Sequence, residues 1–315
     1  MRSLTIPEPS CWIITEGIAG TENQCIGVAE ALDIPFEIKR ISLKQPWKTL
    51  SPYLKFEQSW SFVPPLSPPW PELVIAAGRK AIAPARYIKK CSPQSFVVFL
   101  QDPRVTVDAF DLICVPEHDS LRGHTVLVTK ASPNRITETL LNTAQARFPQ
   151  FARLDGPRIA VLIGGTSKAY QMSAAVTQKL VQDLSALEGT LMMTCSRRTG
   201  AKNKKTLQEH FDKAPHVFWD GTGDNPYMGF LAHADYILVT ADSASMISDA
   251  CTTGKPVYMI DLEGGAPRIQ ALHRNLIERG ILKRFTGTLE GYTYKPLNDA
   301  KTIAEEIQKC IQKYS

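Results

Sequence analysis

The chain has 315 residues, of which 43% are hydrophobic and 21% are charged, and its formal net charge at pH 7 is +5. This length allows two domains of about 150 residues each, and the mild, scattered charge does not indicate a dedicated nucleic-acid-binding protein. Seven cysteines without a C-x-x-C pair, no signal-peptide core and no apolar run of about 20 residues together predict a cytoplasmic protein with free thiols.

The chain begins with a strand, a turn and a helix. We predict a strand at 11–15 (CWIIT), a glycine-containing turn at 16–24 and a helix at 25–32. Further strands are predicted at 36–43, 73–78, 96–101, 110–116 and 125–129, with a helix near 80–90. Strands that alternate with helices predict a mostly parallel sheet and hence a Rossmann-like domain.

Residues 43–70 interrupt this alternation. The segment is basic and proline-rich and contains Trp47, Trp60 and Trp70, three of the five tryptophans of the chain. Trp and Lys suit a bilayer interface, so one interpretation is a surface that faces an acceptor or makes peripheral contact with a membrane. A long loop packed onto the domain is the other interpretation, and both stay open.

A linker is predicted next. Residues 131–157 contain a helix-like stretch, then Phe148-Pro149 and Asp155-Gly156-Pro157, and such Pro and Gly pairs mark loops. We therefore predict an N-terminal domain at 1–150 and a C-terminal domain at 151–298. The predicted units of the second domain are 158–186, 190–196, 216–219, 236–250 and 256–262, with a terminal helix at 299–313.

Residues 158–173, RIAVLIGGTSKAYQMS, give the most informative pattern of the chain. A strand-like run ends at Gly164-Gly165, and Thr166 and Ser167 follow before a helix. Tandem glycines let backbone N–H groups approach a ligand closely, and a helix N-terminus favours an anion. This pattern predicts a phosphate-binding loop. The alternative is a Gly-rich turn that only reverses the chain.

A second polar loop follows the strand at 192–195. It consists of Ser196, Arg197, Arg198 and Thr199. Arginine guanidinium groups suit the oxygens of a pyrophosphate, although a surface charge pair is the simpler interpretation.

A third loop lies within 236–262, which is predicted to form a strand, a polar turn, a helix and a strand. The turn contains Asp242, Ser243 and Ser245, and Asp249 follows about two helical turns later on roughly the same face. Asp249 is either a ligand of a ribose hydroxyl or a solvated helix residue. Because open α/β sheets bind ligands beyond the carboxyl ends of their strands, we expect the three loops to converge on one crevice.

Four ordered motifs resemble a known family. They are WIITEGIAGTENQCIGVAEAL, LQDPR at 100–104, SRRTG at 196–200 and VTADSASMISDACTTGKPV. Together they resemble the mitochondrial-fission-factor-like family, named for a plant protein of organelle division and widespread in bacteria. That family is similar to the GT-B glycosyltransferases. The resemblance implies an α/β fold of GT-B type, with two Rossmann-like domains facing an interdomain cleft and the terminal helix, 299–315, packed back on the N-terminal domain.

The resemblance also implies a function. A nucleotide-diphosphate sugar such as a UDP-sugar would be the donor, and transfer to an unknown, lipid-linked or other acceptor would be inverting and independent of a metal, without a cofactor. Two alternatives remain: a catalytically silent scaffold that recruits a protein partner, and a nucleotide-sugar epimerase. An inverting transfer needs one general base, and the carboxylates at N-domain strand ends are Glu16 and Asp102, unless these are structural residues.

The implied binding residues form two sets. The donor side comprises Gly164, Gly165, Thr166, Ser167, Ser196, Arg197, Arg198, Thr199, Asp242, Ser243, Ser245 and Asp249. The acceptor side comprises Gly17, Gly20, Thr21, Asn23 and Gln24. No Asp-x-Asp triplet that would hold a metal occurs, and Asp242 and Asp249 do not match the Glu-x7-Glu pattern of retaining enzymes. The location implied is the cytoplasm, with peripheral contact at the inner face of the membrane.

Overall fold

The computed structural model describes residues 11–105 and 107–314, and these divide into two compact units. Unit 1 contains the chain up to Arg135 and again from Asn298, and unit 2 contains Ile136–Leu297. Each unit is built around a parallel sheet of six strands. Among the residues described, no helix is both long enough and apolar enough to cross a bilayer.

Unit 1 is a doubly wound α/β unit. Its strands and helices before the second unit are β1 (Cys11–Thr15), α1 (Ala19–Ala31), β2 (Phe36–Arg40), β3 (Ser42–Leu43), α2 (Trp47–Leu50), β4 (Phe62–Val63), β5 (Leu73–Ala77), α3 (Ile82–Cys91), β6 (Phe96–Leu100), β7 (Leu112–Pro116) and β8 (Val126–Thr129). The sheet has the order β2-β1-β5-β6-β7-β8, and all its pairs are parallel.

The apolar runs of unit 1 form strands because the sheet is covered on both faces. Trp12 and Ile14 point into the core that contains α3, whereas Cys11 and Ile13 point into the core that contains α1. A strand buried on both faces needs apolar residues at every position rather than at alternate ones. This explains why β1, β5, β6 and β7 are buried throughout.

Two predicted elements of unit 1 differ from the structure. The helix predicted at 25–32 begins at Ala19, so most of the predicted turn at 16–24 is helical. Its first turn is held by Glu22, which accepts two hydrogen bonds from the Arg40 guanidinium, at 2.9 and 2.7 Å. The strand predicted at 36–43 is broken at Ile41, because the chain leaves the large sheet there and β3 pairs with β4 in a separate antiparallel ladder.

Unit 2 repeats the architecture with a different strand order. Its elements are α4 (Glu138–Arg147), β9 (Arg158–Ile163), β10 (Tyr170–Gln171), α5 (Ala174–Ser185), β11 (Thr190–Cys195), α6 (Ala201–Phe211), β12 (Val217–Trp219), α7 (Tyr227–His233), β13 (Tyr236–Thr240), α8 (Ala244–Thr252), β14 (Val257–Ile260), β15 (Glu263–Gly264), α9 (Pro267–Glu278) and β16 (Lys283–Arg284). The large sheet has the order β12-β11-β9-β13-β14-β16 and is parallel, and β10 pairs with β15.

The division of the chain falls earlier than the boundary predicted at residue 150. Helix α4 belongs to unit 2 because it packs against α7, and Gln145 donates a hydrogen bond to the Ala232 carbonyl. The last helix, α10 (Asp299–Tyr314), belongs to unit 1. It packs against α1, with Ile303 and Ile307 buried, and the Asp299 carboxylate accepts hydrogen bonds from the amides of Lys130 and Ala131.

Candidate functional site

The candidate site lies at one edge of the sheet of unit 2, where the strand order reverses. Strand β9 lies between β11 and β13, and the chain continues from β9 to one side and later, at β13, to the other. In open α/β sheets this reversal leaves a crevice outside the carboxyl ends of the two central strands. The loops that follow β9, β11 and β13 are those predicted to converge.

A short hydrogen-bonded chain joins the loops after β9 and β13. The Gly164 amide donates to Thr240 Oγ1 at 2.7 Å, and the Thr240 hydroxyl donates to Asp242 Oδ1 at 2.7 Å. The Asp242 carboxylate lies so close to Gly164 that a Cβ at that position would be 2.1 Å from Oδ1. Glycine is therefore required here to let a buried carboxylate pack against the backbone.

The loop after β11 is fastened to the same cluster. The Arg198 guanidinium lies 2.7 Å from Asp242 Oδ2. The hydroxyls of Ser196, at 2.9 Å, and of Thr199 both donate to the Gly164 carbonyl. Burial raises the pKa of Asp242, while the Thr240 hydroxyl, the Arg198 charge and a hydrogen bond from the backbone act in the opposite direction.

The glycine loop has a different role from the one its sequence suggests. Besides the Gly164 amide, the Gly165 amide donates to the Asp242 carboxylate, the Thr166 amide to the Arg198 carbonyl at 3.0 Å, and the Ser167 amide to the Tyr170 carbonyl at 2.8 Å. All four amides of the predicted phosphate-binding loop, Gly164–Ser167, thus have hydrogen-bond partners within unit 2. Gly165 has a φ of 152°, and a Cβ there would lie 2.1 Å from the Arg198 carbonyl oxygen. The tandem glycines serve close packing of loops.

Unpaired amides lie instead at the start of α8. Ser243 caps this helix, since its side chain accepts a hydrogen bond from the Met246 amide. The amides of Ala244 and Ser245 occupy the first two helical positions and have no hydrogen-bond partner among the described residues. The Arg198 guanidinium lies beside this helix start through its contact with Asp242.

Arg197 is the second cation of the site. It is exposed, and it forms no ion pair within residues 11–105 and 107–314. The short helical turn of Arg197–Thr199 is capped by the Ser196 side chain, which accepts a hydrogen bond from the Arg198 amide. The loop is therefore ordered while one guanidinium group remains free.

Asp249 is paired with a residue that the sequence did not single out. The Tyr227 hydroxyl donates to Asp249 Oδ2 at 2.9 Å, and burial raises the pKa of Asp249 from 3.8 to about 7 despite this hydrogen bond. Asp249 Oδ1 has no hydrogen-bond partner in the described part of the chain. One oxygen of Asp249 is thus held by Tyr227, and the other has no partner among the described residues.

His273, on α9, is a second residue that the sequence did not indicate. Its side chain is buried and hydrogen-bonds to the Ala241 backbone, next to Asp242, while its Nε2 atom has no partner among the described residues. Burial, reinforced by the nearby Arg284 charge, lowers the pKa of His273 to about 4. The imidazole is therefore neutral near pH 7. A single His in an amphipathic helix gives no sequence signal of such a position.

The two predicted candidates for a general base lie in unit 1 and differ in their contacts. Glu16 follows β1, and its Oε2 atom is 2.7 Å from the Lys80 ammonium. Asp102 follows β6, and its Oδ1 atom accepts a hydrogen bond from the Arg104 amide at 2.8 Å, as in an Asx-turn.

The predicted acceptor-side residues occupy the loop after β1 and the first turns of α1. Gly17 has a φ of 79°, and its amide donates to Thr15 Oγ1. Thr21 donates to the Ile18 carbonyl at 3.0 Å, and Gln24 is buried and accepts a hydrogen bond from Gln101. Gly20 is half-buried and Asn23 is exposed, so these two and Gly17 remain accessible.

Comparison with known proteins identifies the family. The model of the family described as Mitochondrial fission ELM1 matches residues 19–311, which is most of the chain. The chain belongs to this family. The mitochondrial fission protein ELM1 of Arabidopsis thaliana is 33% identical over 271 residues, which cover 76% of this chain and 64% of the plant protein. The match thus spans less than two thirds of the length of this relative.

Solved structures identify the fold of this member of the ELM1 family as GT-B. A crystal structure of UDP-GlcNAc 2-epimerase from Methanocaldococcus jannaschii with UDP-GlcNAc and UDP has a TM-score of 0.52 at 12% identity, covering 97% of this chain and 99% of that one. MurG of Acinetobacter baumannii has a TM-score of 0.50 at 12% identity, covering 96% and 90%. The GT-B fold type and the family that the motifs imply are therefore confirmed.

Proposed function

We propose that unit 2 binds a nucleoside-diphosphate sugar and that the protein transfers the sugar to an acceptor by an inverting, metal-independent reaction. The observation that carries the proposal is the start of α8, where two unpaired amides lie beside Arg198 at the reversal of the strand order. Amides at a helix N-terminus and a guanidinium group bind phosphate oxygens without a metal.

The proposal assigns the diphosphate to α8 rather than to the glycine loop. The amides of Gly164–Ser167 are occupied, so this loop supports the site by holding Asp242 and Arg198 in place. Asp242 is buried and partly neutralises the charge of Arg198. Arg197 is therefore the cation that would bind the diphosphate as it leaves. Positive charge and amides at this point would stabilise the charge that develops as the sugar leaves.

Asp249 is the proposed contact for the ribose. Its Oδ2 atom is held by Tyr227, and its Oδ1 atom, which has no partner among the described residues, can accept a hydrogen bond from a ribose hydroxyl. Tyr227 would then orient the carboxyl group and prevent it from turning away. Ser243 is assigned to the helix cap and Ser245 to the phosphate side, since the first is already engaged with Met246.

The donor-binding part of the proposal is tested by calorimetry and thermal shift with UDP and UDP-GlcNAc. A ligand at about 100 times its Kd stabilises the folded state by about 2.7 kcal/mol. Arg197→Ala should weaken binding by about tenfold or more, because hydrogen bonds between charged groups contribute about 1.5–3 kcal/mol. The matched control is Arg153→Ala, an exposed arginine that precedes β9 and so lies at the other end of the strand. Equal affinities of the two variants would contradict the assignment.

The transfer step needs a base, for which we propose Glu16 or Asp102 of unit 1. Asp102 is engaged in a turn, whereas Glu16 keeps its Oε1 atom without a partner among the described residues, and this favours Glu16. Glu16→Gln should lower turnover by about 10²–10⁴ with an unchanged melting temperature, while Asp102→Asn should chiefly alter stability. The assay measures donor hydrolysis and transfer over a panel that includes lipid-linked acceptors. Nucleotide binding without turnover on any acceptor would favour the catalytically silent scaffold.

A further inference from the structure

Unit 1 carries a cluster of exposed apolar side chains between β3 and β5. Five of the eight large apolar side chains that are exposed in the described part of the chain lie within residues 50–63. The four most prominent are Leu50, Tyr53, Phe56 and Trp60, with exposed fractions of 49%, 70%, 59% and 57%. Single exposed apolar residues are ordinary, but a contiguous group marks an interaction surface. We call these four residues and the neighbouring Lys44, Lys48 and Lys55 the aromatic–lysine patch.

A buried tryptophan supports two of the aromatic side chains of the patch, Phe56 and Trp60. Trp47 is 1% exposed, and its ring lies 5.7 Å from that of Phe56 and 5.0 Å from that of Trp60, both edge to face. Leu50 ends the helix α2 that begins at Trp47, and the Tyr53 amide donates to the Leu50 carbonyl. Phe56 and Trp60 are therefore packed on one side and exposed on the other, while Leu50 and Tyr53 belong to the same ordered backbone segment.

Hydrogen bonds from two arginines, one before α3 and one within it, also hold the backbone of this segment. Arg79 donates to the Ser51 carbonyl at 3.1 and 2.8 Å, and Arg86 donates to the carbonyls of Pro52 and Leu54 at 3.0 and 2.6 Å. These bonds fix the backbone of the patch at the point where its side chains project. A surface that is already ordered loses little conformational entropy when it binds.

Exposed positive charge accompanies the apolar side chains of the patch. Lys44, Lys48 and Lys55 are exposed, and the only acidic residue in the stretch from 41 to 70 is Glu57. Glu57 is buried and forms an ion pair with Arg86, so it does not reduce the charge at the surface. The Lys44 amide donates to the Ser61 carbonyl, which brings this lysine next to Trp60.

We propose that the aromatic–lysine patch is a docking surface for a bilayer that contains anionic lipids. Tyr and Trp favour the level of the lipid headgroups, with the ring apolar and one polar end in water. Lysine side chains extend to anionic headgroups and attract them. Either contribution alone gives weak binding, and the combination of an apolar and a basic element gives stable attachment. The patch does not involve the nucleotide site, so this proposal goes beyond the proposed function and does not depend on it.

The first experiment is flotation of the full chain with vesicles of phosphatidylcholine, with and without about 30% phosphatidylglycerol. Binding should require the anionic lipid and decrease as salt is raised, because exposed charges are screened. A lysine near an anionic surface contributes about fivefold to the partition coefficient, so Lys44→Gln/Lys48→Gln should lower it roughly 25-fold. Lys202→Gln/Lys213→Gln removes the same charge from exposed positions of unit 2 and should leave binding nearly unchanged. Equal losses in both variants, or no vesicle binding at all, would overturn the proposal.

The second experiment tests immersion of the aromatic rings. Vesicles that contain brominated lipids should quench tryptophan fluorescence in the wild type, and Trp60→Phe should remove most of this quenching while it still binds. Tyr53→Ser should weaken partitioning without loss of fold, since this ring is the most exposed of the four. Quenching that persists unchanged in Trp60→Phe would show that another surface meets the lipid.

Two other occupants of the patch are distinguished by separate measurements. Light scattering across a range of concentrations would reveal a dimer, and Tyr53→Ser should not change the mass if the patch meets lipid. Fluorescence anisotropy with a single-stranded oligonucleotide would reveal nucleic-acid binding. A dimer that Tyr53→Ser dissociates, or oligonucleotide binding that Lys44→Gln/Lys48→Gln abolishes in place of vesicle binding, would overturn the proposal.

Discussion

Replacing Asp249 by Asn should stabilise the protein at high pH far more than at low pH. Asp249 Oδ2 accepts a hydrogen bond from the Tyr227 hydroxyl, and burial raises the pKa of Asp249 from 3.8 to about 7. Asparagine has the same shape, and its carbonyl oxygen can accept the bond from Tyr227. The substitution therefore removes the ionisation of this group and little else.

The sign follows from proton binding. Between the unfolded pKa of 3.8 and the folded pKa of about 7, the folded state binds more protons than the unfolded state. The contribution of Asp249 to stability is thus fully present below the unfolded pKa and falls as pH rises to the folded value. The loss amounts to about 1.7 kcal/mol near pH 5 and about 4 kcal/mol near pH 8. The advantage of the Asn variant should therefore grow by about 2.5 kcal/mol between these two pH values.

Urea unfolding of both proteins at the two pH values measures this difference, and the other titrating groups cancel in the comparison. Asp155→Asn, at an exposed carboxyl group of unit 2, is the control. Carbon-13 NMR of the Asp carboxyl groups, with the Asp249 signal assigned from the variant, reports the titration directly. An advantage of the Asn variant that is the same at both pH values would refute the reasoning, because Asp249 would then be ionised throughout in the folded protein.

Three further predictions concern unit 1. Gly27→Ala should destabilise the protein by about 1–3 kcal/mol in a thermal melting experiment, because a Cβ there would lie 2.2 Å from the Asn134 carbonyl oxygen. The control is Gly123→Ala, which should have little effect because its Cβ would lie 3.5 Å from the nearest heavy atom. Glu57→Gln should lower the unfolding free energy by about 3–5 kcal/mol, measured in urea, because Arg86 would keep a buried charge without its partner; wild-type stability would contradict this. A thiol reagent should modify Cys91 first, since it is the exposed cysteine, and Cys91→Ser should remove the fastest phase of the reaction; a fast phase that persists would assign it to another thiol.

The large parallel sheets could be predicted because their strands are apolar at every position. Runs such as 73–77 and 96–100 are too short for helices and too apolar for exposed strands, and both are fully buried strands. The start of α1 could not be predicted in the same way. Gly20, Thr21 and Asn23 are weak helix formers. The first turn is stabilised by the ion pair of Glu22 with Arg40, which lies on β2.

The candidate site could be predicted only in part. The positions of polar loops after β9, β11 and β13 follow from strand order and from the rule for ligand crevices. Their internal roles do not, because a pair of glycines can serve a ligand or a neighbouring side chain. The structure shows that Asp242 occupies the space beside Gly164, a contact between residues far apart in the chain. Tyr227 was not predicted for the same reason, since its bond to Asp249 joins two helices.

Because α10 belongs to unit 1, the two units finish folding in a different order from the one in which they are translated. Unit 1 lacks one wall of its core until α10 has been synthesised, since Ile303 and Ile307 cover α1 and Asp299 holds the amides after β8. Unit 2 is continuous in sequence and is complete once residue 297 has left the ribosome. The unit that is translated first is therefore the one that finishes folding last. A chain that ends at residue 297 and has been released from the ribosome should therefore protect unit 2 from protease while unit 1 is still cleaved.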